Sequence, residues 1–120
     1  MAITITDFRG TGGTRIVKDT AATATAVNNA SGATGTLYMV EIDNASYSTA
    51  VYFKLADATS ATAGTTAADI VLKCPASSTK TYVFPGGIAF SNGFSHWCTT
   101  GAAESSTAAP ADPPTVTYIT

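Results

Sequence analysis

The sequence predicts an all-β fold: an antiparallel β-sandwich, jelly-roll-like, of seven to eight short strands. Three observations carry that prediction. Apolar and polar residues alternate over short runs, as in VYFKL, where Val51, Phe53 and Leu55 take one side and Tyr52 and Lys54 the other. Turn signals recur at a spacing of about 8–12 residues, as in a sandwich. No stretch places large apolar residues at helical spacing. The best helix candidate, ADATSATAGTTAAD at residues 56–69, is rich in Thr and interrupted by Gly64, and reads as a long loop with one short turn.

The elements follow along the chain. Residues 1–20, with glycines at Gly10, Gly12 and Gly13, read as a flexible N-terminal arm. Residues 21–120 then form a single sandwich domain. A weak strand is expected at residues 23–27. TLYMVEID (36–43) and TAVYFKLAD (49–57) are β-rich and separated by the polar NASYST, which suggests a hairpin. DIVLKC (69–74) and KTYVF (80–84) flank a loop opened by Pro75. Phe84-Pro85-Gly86-Gly87 fits a type II turn that reverses the chain before GIAF. Asn92-Gly93 signals a type I′ turn, across which Phe90 and Phe94 are placed to pair. FSHWCTT (94–100) follows, then the proline-bearing loop GAAESSTAAPADPP, then the alternating strand TVTYIT.

Charged residues make up 12% of the 120, with a net charge of −2, and the six Lys and Arg residues are dispersed. Clustered cations are what nucleic acid and anionic membrane require, so neither is an expected partner. The 22 Thr and 22 Ala give a weakly repulsive, low-charge surface suited to a subunit of a large assembly. No signal peptide and no membrane-spanning run are expected, and the sequons at Asn29 and Asn44 are incidental without secretion. Cys74 and Cys98 lack CxxC spacing; two free, buried thiols are expected, with a structural disulfide as the alternative.

Catalytic and metal-binding chemistry finds little support. On a strand His96 and Cys98 share a face, the arrangement of a nucleophile–base pair or of two zinc ligands. A metal would need two further ligands, and there is no second His, so a structural role is expected for His96. Gly10-Thr11-Gly12-Gly13-Thr14 has neither P-loop nor dinucleotide spacing. Asp57 and Asp69 lack a calcium-loop pattern and read as solvated loop carboxylates. Glu41 and Asp43 share a strand face, with nothing else that supports hydrolysis. The expectation is a non-enzyme with no cofactor and no metal.

From Leu37 to Ser95 the chain carries a run of blocks: a hydrophobic strand ending in Ile42-Asp43-Asn44, then VYFKL followed by DATSATAGTT, a proline loop, then TYVFPGGIAF and a Ser/Gly turn. This order resembles small phage and prophage virion structural proteins, namely capsid cement (decoration) proteins or tip modules of tail fibres and spikes. The resemblance covers about half of the chain and carries no catalytic residue. It implies a β-sandwich that forms a homotrimer on the outer capsid surface, with the major capsid protein as partner and the host cytoplasm as its place during assembly. The contact residues expected are Phe8 and Arg9 in the arm, with Arg15 near them, and Tyr47 in the 44–49 loop. Two other roles stand beside this one. A carbohydrate- or receptor-binding module of a fibre or spike would stack a host surface glycan on Tyr47 or Trp97, and a head–tail connector or collar is the other.

Overall fold

The structure, a computed structural model, describes residues 3–8 and 14–120. Within them the chain forms eight strands and no helix: β1 (Ile3–Phe8), β2 (Thr14–Asp19), β3 (Gly35–Asn44), β4 (Val51–Asp57), β5 (Ile70–Cys74), β6 (Ser78–Phe90), β7 (Phe94–Thr99) and β8 (Thr115–Ile119). They build two antiparallel sheets. One runs β1-β2-β8-β3-β6 and the other β5-β4-β7. The alternation read from VYFKL holds: Val51, Phe53 and Leu55 all face inward. They meet Val17, Leu37, Val40, Ile42, Val116 and Tyr118 of the larger sheet in one apolar core.

The chain changes sheet more often than its turn signals suggest. Only β1–β2 and β4–β5 pair as chain neighbours. The hairpin expected of residues 36–43 and 49–57 is instead a corner between sheets, since β3 and β4 lie in different layers. Asn44 holds this corner, its side-chain amide donating to Thr49 O at 3.0 Å and Pro75 O at 3.1 Å. The Asn92-Gly93 turn likewise joins β6 of one sheet to β7 of the other, and Gly93 lacks the positive φ that a type I′ turn requires. The aromatic pairing across it does form. Phe90 and Phe94 stack with centroids 4.3 Å apart.

Pro85-Gly86-Gly87 does not reverse the chain. It is a bulge inside the single strand β6, where Phe84 to Gly87 stand opposite Tyr38 alone between the pairs Leu37–Ile88 and Met39–Val83. Proline is tolerated there because β6 is an edge strand, so a missing N–H breaks no inner ladder. Gly86 and Gly87 have φ of 79° and 77°. A Cβ on Gly87 would overlap the Thr36 methyl and lie 3.1 Å from the Tyr38 ring, so only glycine lets β3 and the bulge approach this closely.

The N-terminal arm is the largest correction. Residues 3–8 and 14–19 are strands, and β2 lies between β1 and β8 with Val17 and Asp19 buried. The alternation of Ile16, Val17, Lys18 and Asp19 places Val17 and Asp19 on the inner side, where the core covers them. The weak strand at 23–27 shrinks to one bridge, Val27 to His96.

Candidate functional site

The densest chemistry lies inside the sandwich. β7 is buried on both faces along its whole length. Its free edge is covered by the segment before β3, through Val27 N to His96 O (2.8 Å), Cys98 N to Thr23 O (2.8 Å) and Ala30 N to Phe94 O (2.7 Å). His96 points from β7 across to the opposing sheet. Its Nε2 lies 2.8 Å from Asp19 Oδ2 on β2, and its Nδ1 lies 2.9 Å from the Tyr118 hydroxyl on β8. With Asp19 ionised, Nε2 carries the proton that the carboxylate accepts. Nδ1 is then left to accept from Tyr118. Burial first, and the Asp19 charge second, push the Tyr118 hydroxyl pKa up, which keeps that proton on the donor. Asp19 Oδ1 accepts from Ala21 N at 3.0 Å. The trio ties two strands of one sheet to the edge of the other, with every nitrogen of the imidazole engaged.

Cys98 shares the inner side with His96, yet neither ring nitrogen is free to take its proton. Burial pushes the Cys98 thiol up to about 12, so it holds its proton at neutral pH. Cys74 is raised in the same direction, also chiefly by burial. Both thiols are free and buried. Among the described residues no three His, Cys, Asp or Glu side chains gather as a metal site.

Asp57 does more than a solvated loop carboxylate. It ends β4 and accepts from Asn92 N (2.8 Å), Ser91 N (3.2 Å) and Gly93 N (3.3 Å), pinning the turn between β6 and β7. These bonds, Asn92's first, hold its pKa below the ordinary carboxylate range despite some desolvation. A depressed folded-state pKa contributes stability that is present above the unfolded value of about 4 and is lost as pH falls through the folded value. Asp57→Ala should therefore cost about 1 kcal/mol at neutral pH. Its stability should also fall less than the wild type's on acidification from about pH 4 to 2. Chemical denaturation across that range checks both.

The expected contact residues do not converge. Phe8 ends β1 with its backbone paired to Thr14, its side chain lies outside the described residues, and so does Arg9. Arg15 is half-buried and exchanges backbone bonds with Thr120 at 2.8 and 2.9 Å. Tyr47 lies at the other end of the sheet, after β3, since β8 runs from Thr115 beside Asp43 to Ile119 beside Met39. Its ring packs on the core and its hydroxyl accepts from Ala111 N at 3.3 Å. Trp97 is 1% exposed and presents no face for a sugar.

A different surface stands open. Ile3 and Ile5 pair with Asp19 and Val17, so they share the inner side of the larger sheet. That sheet has five strands and its partner three, and β1 overhangs at the end. Ile3 is 36% and Ile5 46% exposed. The Ile-Thr-Ile-Thr alternation is the signal that could have found this strip in the sequence. The chain matches no protein-family model, no curated protein and no solved structure.

Proposed function

We propose that this chain is a non-enzymatic virion structural protein, a cement subunit that binds the major capsid protein on the outer capsid surface as a homotrimer. The observation that carries the reading is the partly exposed inner side of β1. An apolar sheet face needs a second layer, and among the described residues the cover over Ile3 and Ile5 is incomplete, leaving them 36% and 46% exposed. A neighbouring subunit is the cover that an assembly protein meets. Each isoleucine contributes modestly, about 1–2 kcal/mol when its remaining exposed area is buried. Three such contacts on one rigid trimer combine through effective concentration. The low charge of the surface supports close approach between subunits, and two free buried thiols suit folding in a reducing host cytoplasm.

The chain path supports reading the sandwich as a jelly roll. One sheet contains the order β2-β8-β3-β6, and the other runs from the Val27 bridge through β7 and β4 to β5. The glycan-binding alternative loses its two aromatic platforms, since Trp97 is buried and Tyr47 is committed to the corner between sheets.

The test is cosedimentation with capsids assembled without this chain. Wild-type protein should bind at a fixed stoichiometry. The double variant Ile3→Asp/Ile5→Asp should bind at least about tenfold more weakly, because two carboxylates would be desolvated at the contact. Its melting temperature should stay close to the wild type's. Equal binding by both proteins, or none by the wild type, would contradict the reading.

A further inference from the structure

The two outer faces of the sandwich differ. On the smaller sheet the loop after β7 closes over the centre, where Lys54 is 1% exposed and its Nζ donates to Ala103 O at 2.8 Å. On the larger sheet big apolar side chains reach the surface: Tyr38 is 44% and Val83 65% exposed. Alternation fixes which residues point outward. Val17, Val40 and Tyr118 are wholly buried, so Ile16, Met39 and Ile119 beside them face away from the core. All three keep part of their surface exposed. The register sets them in one row. Ile16 stands opposite Ile119, Ile119 opposite Met39, and Met39 opposite Val83. An unbroken apolar row thus crosses β2, β8, β3 and β6. The next outward row carries charge. Lys18 stands opposite Thr117, and Thr117 opposite Glu41. Lys18 and Glu41 are both exposed, a cation on the β2 side and an anion on the β3 side.

We infer that this outer face is where copies of the chain meet in the homotrimer, with Lys18 of each copy beside Glu41 of the next. The inference rests on the trimer of the proposed function and not on its capsid partner. A contiguous exposed apolar patch marks an interaction surface, and a row that crosses four strands calls for a cover equally wide. A second copy supplies a matching row. A threefold axis running along the strands keeps every row at its own height. It brings the β2 side of one copy against the β3 side of the next. The apolar rows then close into one layer around the axis, with Ile119 of the middle strand β8 nearest to it. At the height of the charged row the same rotation sets Lys18 against Glu41, so opposite charges meet at each of the three contacts. Ile3 and Ile5 lie on the inner side of the sheet, so the capsid contact and the contact between copies use different surfaces.

The double variant Lys18→Cys/Glu41→Cys tests the placement. Within one chain the two positions are two strands apart, roughly 10 Å, beyond the about 7 Å between Cα atoms that a disulfide can bridge. The two native thiols are buried. Oxidation with diamide should therefore link each copy to its neighbours, and a non-reducing denaturing gel should show a closed ring of three chains. Light scattering over a dilution series gives a second readout. Val83→Asp, at an exposed position that does not burden folding, should raise the concentration at which the trimer dissociates by about tenfold or more. Lys18→Glu should raise it about fivefold or more, and Lys18→Glu/Glu41→Lys should return it to within about twofold of the wild type. The inference falls, and the trimer reading stands, if the wild type is a trimer and any of three results is found. These are oxidised species of only one or two chains, a Val83→Asp trimer as firm as the wild type's, or a charge reversal that restores nothing. A wild type that is a monomer at every concentration overturns the trimer reading and the inference with it.

Discussion

Replacing His96 with alanine should lower the folding free energy by about 3–5 kcal/mol, the cost of breaking a buried, hydrogen-bonded pair by removing one partner. Three losses coincide. Among the described residues the Asp19 carboxylate keeps only the Ala21 N–H at 3.0 Å, the Tyr118 hydroxyl loses its partner at 2.9 Å, and a void opens beside Phe53, whose ring centroid lies 5.3 Å from that of the imidazole. A domain of this size has about 5–15 kcal/mol in total, so the variant should unfold at much lower urea than the wild type. The double variant His96→Leu/Asp19→Leu should recover much of the loss, because apolar replacement of both partners removes the stranded charge. Urea midpoints of the two variants and the wild type decide this. If His96→Ala lost under 1 kcal/mol, the trio would not be what joins β2 and β8 to β7.

Phe94→Ala should be nearly as damaging, at about 3–5 kcal/mol. Phe94 opens β7 and is wholly buried. It stacks on Phe90 at the end of β6, lies 6.1 Å from the Tyr118 ring, and packs 3.6 Å from where a Cβ on Gly35 would stand. It therefore fills the corner where the chain passes from one sheet to the other, the same corner that Asp57 pins from outside. Phe94→Leu, which keeps most of the volume, should cost less than about 1.5 kcal/mol. Thermal or urea unfolding with the three proteins side by side gives the ranking. Equal losses for alanine and leucine would show that ring stacking, and not filled volume, sets the cost.

What the sequence reveals and what it hides divide on physical lines. Strand existence was legible wherever period-two alternation was strong, as in Val51–Leu55, because the pleat alone dictates that pattern. Pairing was not legible, since a turn signal reports only that the chain bends. The bends at 45–50 and 91–93 carry it between sheets, and Pro85-Gly86-Gly87 bends it within one strand. The role of His96 was half visible. Its place on a strand beside Cys98 followed from spacing, and a structural role was the expectation. Its partner Asp19 was hidden in a segment whose glycines suggested an arm, although Val17 and Asp19 already alternated with Ile16 and Lys18. The buried state of Lys54 was likewise invisible, because it depends on the loop after β7 folding back over the outer face. Composition gives no sign of that fold-back.

The central claim is that the chain works as a subunit of an assembly, and its mass in solution tests this most directly. Light scattering behind a sizing column should give a mass near three times the 12.1 kDa of one chain, steady on dilution. Deletion of residues 1–13, which removes β1 and leaves β2 and the core in place, should then weaken capsid binding without unfolding the sandwich. A mass of 12.1 kDa at every concentration would contradict the trimer and remove the avidity on which the cement reading depends.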